Sequence, residues 1–303
     1  MIRDFDELKV AAKNQKRMKL AVAAAQDEEV LIAVSNAARL GFATPILVGD
    51  IDLIKKIAME HRLNISEYEI IDIKDLNEAA IVAVKLVSSG QADFVMKGLL
   101  DTSILLKAVL DKEVGLRTNN LLSHVMVYKT DNYHKLLFLT DGGMNIYPTL
   151  EEKVKITKNA VEVAKAMGID TVKVACLAAK EKVDLKMPAT VDADQMQHMG
   201  EEGEFGKGVI LEGPLAFDLA ISKEAAEIKK FKSLIAGDVD VLLVPTIEMG
   251  NGIGKTLTYF ANAESAGIVM GAKTPVVLVS RADTHETKLN SIALGSIVAA
   301  YRS

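Results

Sequence analysis

Short apolar runs bounded by polar residues alternate along this chain with longer stretches whose apolar positions recur at helical spacing. The pattern predicts a strand over 19–24. The helix after it opens on Asp27 as N-cap, carries Glu28 and Glu29 in its first turn and stops at Gly41. A strand over 45–48 leads through Gly49-Asp50 into a helix reaching about His61. A strand over 68–73, a helix over 76–87, a short strand over 94–96 ending at Lys97-Gly98, and a helix over 102–110 follow. Strands over 125–128 and 136–139 are separated by a polar turn.

The second half repeats the idiom. Thr149 caps a helix over 150–167, with Glu152 at the capping-box position. Next come a strand over 172–177, a helix over 191–199, a strand over 209–211 and a helix over 223–236. An apolar strand over 241–245 runs into a glycine-rich segment, Met249-Gly-Asn-Gly-Ile-Gly254, then Lys255-Thr256 and a helix. A last strand over 275–279 meets the polar turn Ser280-Arg-Ala-Asp-Thr-His-Glu286, and a helix over 287–301 closes the chain. Strands alternating with helices argue for an α/β protein with doubly wound sheets, whose ligands bind beyond the strand C-termini. Lys97, Asp141, Glu212, Glu248 and Ser280-Arg281 fall at such ends. Candidate boundaries lie near 141–148 and near Val279.

Composition narrows the class. The chain has 303 residues, half of them hydrophobic but only 5% aromatic, which fits two domains with aliphatic cores. A net charge of −5 gives no global bias towards nucleic acid or membrane, so positive charge at a site must be local. The single Cys176 rules out an internal disulfide and, mid-strand, reads as an inert core residue. Five histidines form no zinc spacing. The charged start and the absence of a long apolar run favour a cytoplasmic protein.

The candidate chemistry is anionic. A glycine loop entering a helix can cradle phosphate with backbone N–H groups. Gly250-Asn251-Gly-Ile-Gly-Lys255-Thr lies one residue out of register with a nucleotide-binding P-loop, because Met249 stands where that motif needs glycine. An anion cradle of another kind and a purely structural loop remain beside the ATP reading. Arg281 offers a planar fork for phosphate or a developing oxyanion, with Asp283 and Glu286 as candidate general bases. The competing reading is a capped helix start, with Asp283 or Thr284 as N-cap and Arg281 in a surface ion pair. Lys97 and Arg117 are further candidates for phosphate contacts, and Asp141-Gly-Gly-Met-Asn145 for a hinge or phosphate-approach loop.

Four blocks together resemble the phosphate acetyl- and butyryltransferases. These are Ala92–Gly98, Glu113–Thr118 with Ser123-His124, Phe138–Asp141 with Asn145 and Pro148, and Pro245–Asn251 with Lys255 joined to the segment from Pro275 to Ser291. The form Ser-Arg-Ala-Asp…Glu-Thr-Lys resembles the butyryl branch more than the acetyl branch. The resemblance implies two α/β domains of isocitrate/isopropylmalate dehydrogenase-like architecture with a cleft between them. They are expected over 1–141 with 280–303, and over 142–279. It also implies homodimers or larger homo-oligomers, no metal, no tightly bound cofactor, and acyl-CoA and inorganic phosphate as substrates. Ser280 and Arg281 match the catalytic pair of the acetyl branch. That branch's aspartate aligns near Thr287, which leaves the base open between Glu286 and Asp283. Lys97, Arg117, Asp141, Glu248, Gly250, Asn251 and Lys255 are the expected phosphate and CoA contacts. Other classes remain: an ATP-binding kinase or ATPase, a dehydrogenase of related architecture, and a non-catalytic CoA-binding protein.

Overall fold

The computed structural model describes residues 1–303. Along the chain, the elements begin with α1 (Phe5–Lys13), β1 (Met18–Ala23), α2 (Glu28–Leu40), β2 (Ala43–Gly49) and α3 (Ile51–Glu60). Then come β3 (Glu69–Asp72), α4 (Leu76–Ser88), β4 (Phe94–Lys97), α5 (Thr102–Val109), β5 (Ser123–Lys129) and β6 (Leu137–Thr140). They continue with α6 (Leu150–Ala166), β7 (Val172–Leu177), α7 (Pro188–Glu201), β8 (Val209–Leu215), α8 (Phe217–Ile221) and α9 (Lys223–Ile228). The last are β9 (Val241–Leu243), α10 (Ile247–Phe260), β10 (Glu264–Met270), β11 (Val276–Val277) and α11 (His285–Tyr301).

Two compact units emerge. One joins Phe5–Asn120 to Ala266–Ser303; the other is Leu121–Ser265 with Met1–Asp4. The sequence placed the boundaries later, at 141/142 and 279/280. Strands β5 and β6 set the difference, because they pair with each other and β6 pairs with β9, which ties both to the later segment.

In the first unit, β3, β2, β1, β4 and β11 are parallel neighbours in that order, and β10 pairs antiparallel with β11. Phe5, Leu8, Leu20, Leu31, Phe42, Phe94 and Met96 are fully buried here. Helix α11 is buried on nearly every side and packs against α1, α2, β4 and β11. In the second unit β6, β9, β7 and β8 run parallel, with β5 antiparallel to β6. Its core gathers Tyr128, Leu139, Leu177, Leu215, Ile235 and Leu242. The N-terminal ends of its strands are tied by charge: Asp240 pairs with Lys135 at 2.7 Å, and Asp238 takes Lys173, Lys135 and His134.

Local signals held where a side chain caps a helix. Asp27 accepts from the Val30 N–H, Gly41 ends α2 at φ 93°, and Thr149 with Glu152 forms the capping box of α6. Several elements, the short helix α8 among them, differ from the sequence reading. Helix α1 and strand β10 were not foreseen. The helix expected over 223–236 is α9 alone, because the chain turns at Lys230 (φ 51°) and Glu212 then binds the Ser233 hydroxyl and the Leu234 N–H.

Candidate active site

In the first unit, the C-terminal ends of β1, β4 and β11 lie side by side, with Ala23 opposite Lys97 and Met96 opposite Val277. Lys97 therefore leaves the sheet beside the segment that carries Ser280 and Arg281. Gly98 lets the chain pass closely there: a Cβ on it would lie 2.1 Å from the Ala24 carbonyl oxygen. The residues from Ser280 to Asp283 form a closed turn. The Asp283 N–H donates to the Ser280 carbonyl (3.1 Å), and the Ser280 N–H donates to the Asp283 carboxylate (2.8 Å).

The structural reading of this turn is realised, a capped helix start with Arg281 in a surface ion pair. Thr284 caps α11 by accepting from the Thr287 N–H, and Arg281 reaches Asp101 at 3.4 Å. That pair is open to solvent, so it holds Arg281 only weakly and leaves the guanidinium available. Glu29 receives both the backbone N–H and the ring of His285. Glu286 is drawn to Lys9 of α1 at 2.8 Å. Of the two candidate bases, Asp283 stays beside Ser280 while Glu286 is occupied away from it.

Charge gathers around Lys97. Burial pushes its pKa down, and the nearby Arg281 and Lys288 cations push it the same way, against Asp27 and Asp101. Lys288, absent from the sequence-level site, is buried in the first turn of α11 and donates to the Asp283 carbonyl. It ends the Ser-Arg-Ala-Asp…Glu-Thr-Lys pattern, but lysines are seldom buried, so the sequence assigned it no role in the site. Arg117 belongs to this unit as well. It is exposed, in a loop held by Thr118 on the Gly271 carbonyl and by Lys273 on the Leu116 carbonyl.

The second unit carries the remaining candidates at the C-terminal ends of β6 and β9. Asp141 is buried and fully engaged. One oxygen accepts from the N–H groups of Gly143 and Met144, the other from the His124 N–H and the Asn145 amide. Four donors leave no vacancy for a phosphate-bound partner, so Asp141 organises its loop rather than contacting substrate. Glu248 is exposed and accepts from the Tyr147 hydroxyl at 2.5 Å, which holds its carboxyl below the usual range.

The glycine-rich segment is not a loop. Helix α10 starts before it, at Ile247, and the Gly250 N–H already donates to the Thr246 carbonyl (3.2 Å). Backbone N–H groups from Gly250 onward run along the helix axis and cannot wrap a phosphate, which removes the P-loop reading and any cradle built by the glycines themselves. The glycines permit close packing instead. A Cβ on Gly250 would come 2.7 Å from Gly142 Cα, and one on Gly254 would come 2.6 Å from the Tyr128 hydroxyl oxygen. Asn251 and Lys255 lie on the exposed face, with the Lys255 ammonium 5.9 Å from the centre of the Tyr259 ring.

Cys176 is buried and its thiol is pushed up to about 12 by burial, a setting unsuited to a nucleophile. No three His, Cys, Asp or Glu side chains converge as metal ligands would. No helix is long and apolar enough to cross a membrane.

Known proteins match this arrangement along its whole length. The phosphate butyryltransferase of Clostridium acetobutylicum is 48% identical over 99% of both chains. The phosphate acetyltransferase of Rhizobium meliloti is 42% identical, over 98% of this chain and 94% of its own. Among solved structures, a branched-chain phosphotransacylase from Enterococcus faecalis V583 superimposes with a TM-score of 0.81 at 34% identity, covering 92% of this chain and 99% of its own. The model of one family, phosphate acetyl/butaryl transferase, matches residues 5–79 and 74–296, a span that takes in the strand ends, the Ser280 turn and all but the last residues of α11. The chain belongs to that family.

Proposed function

We propose that this protein interconverts butyryl-CoA plus phosphate with butyryl phosphate plus CoA, by direct transfer within a ternary complex. The observation that carries it is the Ser280–Asp283 turn beside Lys97, in a chain whose full length matches a phosphate butyryltransferase. In one direction a phosphate oxygen attacks the thioester carbonyl and the C–S bond breaks, so CoA leaves as thiolate. In the other, the CoA thiol gives up its proton, the thiolate attacks the acyl phosphate carbonyl, and the C–O bond to phosphate breaks. Both directions pass through an oxyanion, which Arg281 and the Ser280 hydroxyl stabilise. Asp283 takes the thiol proton; with a free thiol pKa of about 8.5, the base need not be strong.

Lys97 and Arg281 hold the phosphoryl group. Arg117, Glu248, Asn251 and Lys255, all exposed, are assigned to the larger substrate, CoA, with the two cations facing its phosphates. Direct transfer needs no enzyme nucleophile, in keeping with the buried Cys176. We take the active species to be a homodimer or larger homo-oligomer, as the family resemblance implies. An acetyl-CoA preference is the second reading, favoured by the acetyltransferase relative. Each extra methylene contributes only about 0.8 kcal/mol of burial, so preference among short acyl groups is graded.

The deciding experiment follows free-thiol release from butyryl-CoA and acetyl-CoA, with and without phosphate, in the presence of EDTA. Phosphate-dependent release that is faster with butyryl-CoA is expected. Faster release with acetyl-CoA would move the chain to the acetyl reading, and no release with either ester would defeat the acyltransfer reading.

A further inference from the structure

Helix α11 is buried continuously from Lys288 to Ala299, and Lys288 is the single charged residue in that stretch. It is 4% exposed. Its ammonium donates to the backbone carbonyl of Asp283, and no carboxylate forms an ion pair with it. The acidic groups around the turn face other partners: Glu29 meets His285, Asp101 meets Arg281, Glu286 meets Lys9, and the Asp283 carboxylate points to the Ser280 N–H. A buried charge without a counter-ion is costly, and keeping one beneath a turn that presents Arg281 beside Lys97 of β4 fits a site where an anion arrives with the ligand. The charge reaches the neighbouring site, since Lys97 senses both Arg281 and Lys288.

We propose that Lys288 is a positioning residue of the phosphate site. It fixes the Ser280–Asp283 turn through the Asp283 carbonyl, and its unneutralised charge raises the affinity of that turn for phosphate and acyl phosphate. The assignment rests on the acyltransfer reading. A simpler role, a tether that needs only a hydrogen-bond donor, is separable from it by chemistry. Lys288→Gln keeps a donor for the Asp283 carbonyl and removes the charge, whereas Lys288→Arg keeps both.

Two readouts test it on the full-length protein. One is steady-state kinetics with phosphate and butyryl-CoA varied separately. The other is the rise in melting temperature on titrating inorganic phosphate, with chloride at matched ionic strength as control. The Gln variant is expected to raise KM for phosphate, and the phosphate concentration for half the thermal shift, by about tenfold or more, the loss expected for a charge-assisted contact. KM for butyryl-CoA should stay within about twofold, and the Arg variant should keep phosphate affinity within about threefold, since the charge is retained. A Gln variant with wild-type phosphate affinity would overturn the proposal, as would a parallel rise in both KM values or an Arg variant as weak as Gln. Should the Gln variant not fold, the Arg variant decides: retained phosphate affinity supports the proposal, and a tenfold loss overturns it. If the wild type releases no thiol, the acyltransfer reading fails by itself, and the phosphate thermal shift of wild type against variants still decides the place of Lys288.

Discussion

Arg281 has one ion pair, and that pair is open to water. Removing the side chain therefore disturbs little of the fold while taking away the donor proposed for the oxyanion. Arg281→Ala should lower kcat by about 10²-fold or more, the scale for losing one oxyanion donor, with an unchanged melting temperature. Near-normal turnover would sink its assigned role. The base is open to a sharper test. In Asp283→Asn the amide oxygen can still accept from the Ser280 N–H, so the turn survives and only the proton acceptor is lost. In the acyl phosphate plus CoA direction, the defect should be large near neutral pH. It should shrink as pH rises towards the thiol pKa of about 8.5, because the thiol then ionises without help. A defect constant from pH 6.5 to 9 would mean that Asp283 shapes the turn and moves no proton. At this scale the sequence was legible where chemistry is local. Ser280, Arg281 and Lys97 sit at strand ends as their context indicated. The roles of Asp141 and Lys288 were not legible, because they depend on burial.

Helix α10 carries the clearest lesson among the elements. Glycine after a strand signals a loop in most contexts, since glycine costs about 1 kcal/mol in a helix relative to alanine. Here close approach overrides propensity: Gly250 lies against the Gly142 backbone and Gly254 under the Tyr128 hydroxyl. Gly252, by contrast, has open space around its Cβ position. Gly250→Ala should destabilise by about 1–3 kcal/mol through overpacking, whereas Gly252→Ala should stabilise by about 0.5–1 kcal/mol through helix propensity alone. Denaturant melts of the two variants check the contrast; equal shifts in the same direction would contradict it. Caps were read correctly because Asp27 and Thr149 act within their own first turns. Strand β10 was missed: Ser265-Ala266-Gly267 at its start lacks the β-branched residues that mark strands, and its partner β11 is only two residues long.

At the scale of the whole molecule, the α/β class and two-unit organisation followed from alternation and length, while the boundaries depended on strand pairing that no local pattern encodes. The network at the N-terminal ends of β6, β7 and β9 sets how the fold responds to acid. Burial raises the Asp238 pKa, but bonds from Lys173, His134 and Lys135 outweigh it and hold the carboxyl well below the usual range. A depressed folded-state pKa gives stability that is fully present above the unfolded value of about 3.9 and is lost as pH falls below it. Asp238→Asn should therefore melt lower than wild type at pH 7 and at pH 5, with the gap narrowing progressively below about pH 4, where the unfolded wild-type chain takes up a proton that the folded carboxylate does not. A gap that widens on acidification would contradict the network's role. The first unit also has a temporal consequence. It is assembled from Phe5–Asn120 and Ala266–Ser303, whereas Leu121–Ser265 is nearly continuous. During synthesis, the middle of the chain can leave the ribosome and fold while the strands β1 to β4 still wait for α11, the helix that fills their core and carries the Ser280 turn into place. The nascent protein thus exposes that half-built sheet until the segment from Ala266 to Ser303 emerges, and the Ser280 turn takes its place beside Lys97 only then.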